Sequence, residues 1–277
     1  MSTVSQENIN RWIEQSDIDY IGHYIKAWIP FNAWYNNTFQ TLSSDREKIN
    51  AIKNNSNTVR NVINVLMEGD SALSMEFKSY LATLIFNTAE QNIQGRDGVI
   101  NFENIIKVKN SIVQKNEDFG VNNYFIRRTD GQFIGQIVSL QINVKRKATN
   151  TSIFSYNHTE YSLEHLQSFP AYQALSSQVQ TQLRLYFQEL KPYSIESIIE
   201  QNINRAPLNY YKCDNYNLRR DVANTTCYAH LIVKALIEVL YQLRNVVFHG
   251  ELVPNRDAQK IYSAAYHVLK IILEKIR

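Results

Sequence analysis

Residues 221–248 constrain this chain most. Their apolar side chains, among them Leu231, Ile232, Ala235, Leu236, Val239, Leu240, Leu243 and Val247, cover most of a helical circumference rather than one stripe. A helix apolar nearly all round has to be enclosed by other elements, because exposing that surface forfeits the free energy of burial. The spacing therefore predicts a central helix surrounded by others. Gly250 stands just past its end, where a left-handed backbone conformation commonly closes a helix and glycine enters it without strain. A last helix is expected over 257–272, with Ile261, Ala265, Val268, Leu269 and Ile272 facing inward.

Only 8 Gly and 5 Pro occur in 277 residues, and tight turns draw on these two residues most, so a mainly α fold is expected. Earlier in the chain, 7–40 reads as helix, with Ile18, Ile21, Ile25, Trp28 and Ile29 on one face and an interruption at Pro30. Beyond it Phe31, Trp34, Tyr35 and Phe39 form an aromatic stripe, which at helical spacing reads first as core and second as a base-stacking platform. Ser43 or Ser44 is suited to cap the next helix, and further helical patterns cover 58–67 and 73–92. An amphipathic piece follows over 102–113. The period then changes. Residues 123–144 are rich in β-branched and aromatic residues around Asp130-Gly131, a hairpin signal, and 151–156 is strand-like. Helical spacing returns over 163–190, with a pause at Pro170, and a shorter helix is expected over 194–203. The expected organisation is an N-terminal helical part (1–118), a small β-rich insertion (119–162) and a C-terminal helical part (163–277).

The bulk properties exclude some classes. With 44% hydrophobic and 20% charged residues the chain is globular rather than disordered. The start, MSTVSQENINRW, lacks the charged-then-apolar pattern of a secretory signal, and no apolar run approaches the ~20 residues that span a bilayer, so a cytoplasmic location with no membrane partner is expected. Cys213 and Cys227 make neither a metal nor a redox spacing, and His23, His158, His165, His230 and His267 form no ligand motif, so neither metal nor cofactor is expected. No glycine-rich phosphate loop and no nucleophile elbow is present. A formal net charge of +3 is too small to identify a nucleic-acid binder by itself. Three basic clusters, Arg127-Arg128, Lys145-Arg146-Lys147 and Arg219-Arg220, are candidate phosphate contacts, although solvated surface charge is the commoner explanation of any one.

The chemistry concentrates in YQLRNVVFHGE, residues 241–251, where the central helix gives way to a loop. Arg244, Asn245 and, five positions after the Arg, His249 resemble the motif of the HEPN superfamily, whose ribonuclease members carry Arg, a polar residue and then His. AWIPFNAWYN, residues 27–36, is similar to the aromatic first helix of a number of bacterial HEPN proteins. The two places bracket almost the whole chain, while segment 119–162 departs from a minimal HEPN bundle and takes no role from it. The resemblance implies an HEPN-like helical bundle with a small β-containing insertion. It further implies a homodimer with two motifs meeting in one cleft at the subunit interface, and metal-independent endoribonuclease activity. Cleavage of that kind leaves a 2′,3′-cyclic phosphate and a 5′-hydroxyl. RNA is then the substrate, Arg244, His249 and Asn245 are the site, and a toxin or antiviral effector with an antitoxin or sensor protein as partner is the setting.

Helix geometry adds a constraint of its own. Five residues at about 100° each place His249 roughly 140° around an ideal helix from Arg244, so one chain does not bring both to one face. Glu238, Gln242, Asn245 and His249 do share a stripe, which lets Asn245 orient the His249 ring across one turn, or is only a solvated face. A catalytically inactive HEPN module that binds RNA, a nucleotide or a protein is the alternative, and a helical scaffold in which the pair is accidental is a third reading.

Overall fold

The computed structural model describes residues 5–9, 18–95, 98–103, 105–132, 134–200 and 210–277. The first helices are α1 (Tyr20–Thr38), α2 (Asp45–Asn54), α3 (Thr58–Glu68) and α4 (Ala72–Gln91). Strands β1 (Gln94–Gly95), β2 (Gly98–Val99), β3 (Ile106–Lys109), β4 (Gln114–Phe119), β5 (Asn122–Asp130), β6 (Ile137–Arg146) and β7 (Ser152–His158) follow. Next come α5 (Leu163–Ser168), α6 (Pro170–Gln173), α7 (Ser177–Glu189) and β8 (Tyr193–Glu196). The hairpin strands β9 (Tyr210–Cys213) and β10 (Tyr216–Arg219) precede α8 (His230–Phe248) and α9 (Arg256–Ile276).

Half of the structure is helical and 21% is strand, in four small sheets among the described residues. The chain is a mixed α/β protein, which corrects the expectation of a mainly α, HEPN-like helical bundle with one small β-containing insertion. The reason is local. β4 reads QKNEDF and is almost wholly exposed, so no apolar alternation announces it. β3, β8, β9 and β10 are only four residues each, too short for a period to show. The amphipathic piece at 102–113 contains β3, and the helix expected over 194–203 begins as β8, with 201–203 lying outside the described residues. Residues 10–17 of the first expected helix lie outside them too.

The chain divides into two compact units, residues 1–106 with 197–277, and residues 107–196. In the first unit α8 is the buried centre, with Ile232, Val233, Ala235, Leu236, Ile237, Val239, Leu240, Leu243 and Val246 in the core. Each fully buried Leu or Ile contributes about 1.5–3 kcal/mol. Helices α2 and α3 pack on α8, and α9 packs on α1 and α4. α8 is shorter than 221–248, because 221–229 form turns. α1 runs unbroken through Pro30, and no restart occurs there. Pro30 is exposed, so the carbonyl it leaves unpaired stays hydrated, while the buried face holds the helix together. That face is aromatic, with Tyr24, Trp28, Phe31 and Tyr35 buried and Ile18 and Ile29 left exposed. Rings bury more area than isoleucines and so set which way the helix turns inward.

Two tyrosines pin the end of α8. The Tyr24 hydroxyl donates to the Leu240 carbonyl at 2.5 Å, and Tyr262 of α9 donates to the Leu243 carbonyl at 2.7 Å. Burial pushes both phenols above their ordinary range, so they stay protonated donors. The helix turn that carries Arg244 is therefore fixed from two sides.

The second unit is an antiparallel sheet of order β4-β5-β6-β7, with β3 paired to β8. Tyr124, Ile126, Leu140, Ile142, Val144, Phe154 and Tyr156 project from one face onto Leu166, Tyr172, Leu183, Tyr186 and Phe187 of α5–α7. The hairpin signalled by Asp130-Gly131 joins β5 to β6, with Asp130 opposite Ile137 and a register shift beside it.

Candidate active site at the end of helix α8

The end of α8 is built by its own backbone. Gly250 has φ +68, its N–H donates to the Val247 carbonyl at 3.1 Å, and the Glu251 N–H donates to the Val246 carbonyl at 2.9 Å. This double closure is the Schellman arrangement, and it makes His249 the C-cap residue. The His249 backbone is held by a 2.9 Å bond to the Asn245 carbonyl, while its side chain is exposed and its ring bonds to no described residue.

Arg244, one turn inside, is held on three sides. Its Nη1 donates to Asn245 Oδ1 at 3.0 Å, its Nη2 lies 3.5 Å from Asp45 Oδ2, and its guanidinium sits 4.3 Å from the centre of the Phe248 ring. Its Nε is buried without a hydrogen-bond partner. Asp45 also meets the Tyr35 hydroxyl, and burial together with that carboxylate pushes the Tyr35 phenol up to about 12. Asn245 thus spends its side-chain oxygen on Arg244, where the sequence reading had it orient His249. Sequence reasoning missed Asp45 and Phe248 and placed Tyr35 only in the aromatic stripe, without joining it to Arg244. Phe248 left a signal too, since it stands four residues from Arg244, the spacing of one helical face.

The polar stripe on α8 is not a solvated face. It continues backwards through Lys234 to His230, and Glu238 at its middle is only 7% exposed. Arg46 Nη1 reaches both Glu238 oxygens, at 2.8 and 2.9 Å, and Lys53 Nζ lies 2.5 Å from Oε2. Gln242 Nε2 donates to Oε1 at 3.1 Å. Burial by itself would raise this carboxyl, but Lys53 and Arg46 outweigh it and hold it at about 2.

The basic clusters divide. Arg128 is 2% exposed and donates to Asp130 Oδ1 at 2.7 Å, to the Leu190 carbonyl at 2.6 Å and to the Asn110 carbonyl at 2.5 Å. A guanidinium so buried and so engaged is structural and does not reach RNA, which corrects its assignment as a phosphate contact. Arg220 donates to Glu68 at 3.1 and 3.0 Å and stacks 4.3 Å from the Tyr228 ring, and Arg219 donates to the Ser197 carbonyl. Lys147 lies 3.8 Å from Asp118. Arg127 and Lys145 stand on the sheet face opposite the core, and Arg146 is exposed at the end of β6.

A groove of about 530 Å³ lies between α1 and α9, lined by His23, Lys26, Trp34, Tyr266 and Lys270 among others, and includes none of Arg244, Asn245 and His249. Among the described residues no three His, Cys, Asp or Glu gather as a metal site, both cysteines are buried and unpaired, and no helix is long and apolar enough to cross a membrane. Compared with known proteins, the chain matches no family model, no curated sequence and no solved structure. Its residues and their geometry carry the functional reading alone.

Proposed function

We propose that the chain is a metal-independent endoribonuclease of the HEPN type, acting in the cytoplasm as a toxin or antiviral effector. The observation that carries this is the helix end itself, where an Arg244 held by Asp45, Asn245 and Phe248 is followed, past the next turn, by the free, exposed ring of His249. The chemistry needs those two residue types. The 2′-oxygen attacks phosphorus as its proton leaves to a base, the bond to the 5′-oxygen breaks, and an acid returns a proton to that oxygen. His is the side chain best suited to proton transfer near neutrality, and Arg holds phosphate oxygens without titrating.

A second copy of the chain completes the cleft in this reading. Phe248 is 56% exposed and Val253 73% exposed on either side of His249, apolar surface suited to burial against an identical helix end. The inactive binding module keeps one observation in its favour, namely that Arg244 is already engaged by Asp45 and Asn245.

Purified protein is expected to cut single-stranded RNA in the presence of EDTA and leave DNA intact. The ends are expected to be 2′,3′-cyclic phosphate and 5′-hydroxyl, and His249→Ala is expected to abolish cutting with the fold unchanged by circular dichroism. Cleavage that needs magnesium, survives that substitution or proceeds in a monomer defeats the proposal. Binding of RNA without any cleavage selects the inactive module.

A further inference from the structure

The polar row of α8 carries more positive charge than its carboxylates neutralise. Arg46 and Lys53 share Glu238, but Arg60 and Lys234 have no such partner. Arg60 is buried, donates through Nη1 to the Lys53 carbonyl at 2.8 Å and lies with Nη2 2.6 Å from His230 Nδ1. A guanidinium only donates, so Nδ1 accepts and the ring carries its proton on Nε2. His230 is the first residue of α8, where the helix adds its own partial positive charge. Lys234 follows one turn later, half-buried between His230 and Glu238, and makes no hydrogen bond or ion pair with any described residue. Asp221 faces the same end and forms no ion pair with Lys234 or His230.

Arg60 and Lys234 are therefore two cations with no carboxylate in contact among the described residues, next to a Glu238 already shared by Arg46 and Lys53. A half-buried ammonium beside a buried guanidinium is unfavourable until an anion joins it. We propose that the N-terminal end of α8 is a binding site for a phosphoryl anion, contacted by Lys234 Nζ and His230 Nε2, with Arg60 orienting the ring and adding its field. The anion belongs to a free nucleotide or to the backbone of an RNA chain, which share this chemistry. The site is separate from the cleavage motif, since the 15 residues from Lys234 to His249 span roughly 22 Å of helix. It stands whether or not the chain cleaves RNA. The proton equilibria agree with it. Burial first, then Lys234 and Arg60, bring His230 down to about 4 against a partial offset from Asp221. Burial, Arg60 and Lys53 lower Lys234 in the same way, again against Asp221. A bound anion relieves both.

The test is calorimetric titration of the whole chain with inorganic phosphate, with a nucleoside triphosphate, and with a single-stranded RNA whose 2′-O-methyl sugars prevent cleavage. Chloride at equal ionic strength is the control. Phosphate is expected to bind, Lys234→Gln to weaken it about tenfold or more, and Lys234→Arg to retain it. In phosphate-free chloride buffer Lys234→Gln is expected to raise Tm, because it removes an uncompensated cation, and that rise also shows the variant folded. Phosphate displaced by the nucleotide but not by the RNA assigns a free nucleotide, and displacement by the RNA assigns the backbone. No binding of any probe to the wild-type chain, or equal binding of phosphate by wild type and Lys234→Gln, overturns the proposal, and a lowered Tm of Lys234→Gln counts against the charge argument behind it.

Discussion

Glu238→Gln removes one negative charge from the middle of α8 and changes little in shape. In the native chain that carboxylate is bracketed by Arg46 at 2.8 Å and Lys53 at 2.5 Å. Its carboxyl is held at about 2 against an ordinary 4.5, and at 1.36 kcal/mol per unit the fold prefers the charged form by about 3 kcal/mol. Loss of the charge takes from Arg46 and Lys53 the carboxylate that both grip, a change of the same order as breaking a buried pair, about 3–5 kcal/mol. The variant is thus expected to lose about 3 kcal/mol near neutral pH, measured by urea unfolding of both proteins. The sign follows from a depressed acid. The stabilisation is fully present above the unfolded carboxyl's ordinary value and is lost as pH falls through the folded value of about 2. The gap between wild type and variant should therefore be constant above pH 5 and close on the way down to pH 2. A variant within about 0.5 kcal/mol of wild type at neutral pH, or a gap that does not narrow in acid, refutes the reasoning.

His230 supplies a second pH window. Its folded value of about 4 lies below the ordinary 6.5, so the unfolded chain takes a proton that the fold refuses, and stability falls as pH drops from 6.5 towards 4. Discounted for its partial exposure, the loss is about 1 kcal/mol, and His230→Gln should flatten urea-derived stability over that window, equal slopes in both proteins being the contrary result. Gly250→Ala places a side chain at φ +68 with open space around it, so only backbone strain of about 1 kcal/mol is expected. Because Gly250 closes the turn that fixes His249, the proposed ribonuclease activity is expected to fall in the same variant by more than its thermal stability alone predicts, and an activity equal to wild type would separate the cap from the proposed chemistry.

What the chain determined by itself is what depends on neighbours a few residues away. The apolar circumference of α8, the Gly250 closure, the Ser44–Glu47 capping box of α2 and the Asp130-Gly131 hairpin are all local, and each stands in the structure close to where its residues imply. Arg244 and His249 were legible for the same reason, as a spacing at a helix end. Charge partners were not legible. Glu238 meets Arg46 across 192 positions, and Arg60 meets His230 across 170. Nothing in a helical period says which face of α8 will be covered by basic side chains rather than by water. Arg128 and Arg127 are adjacent, yet one is buried among carbonyls and the other exposed, because alternate residues of β5 face opposite sides of the sheet. The short strands escaped because four residues hold too little alternation to register, and only pairing with a distant segment defines them. Local spacing settles helices, caps and turns, since their hydrogen bonds close within a few residues. The burial of a charge, and the partner that makes it tolerable, are decided only when the chain has brought distant helices together.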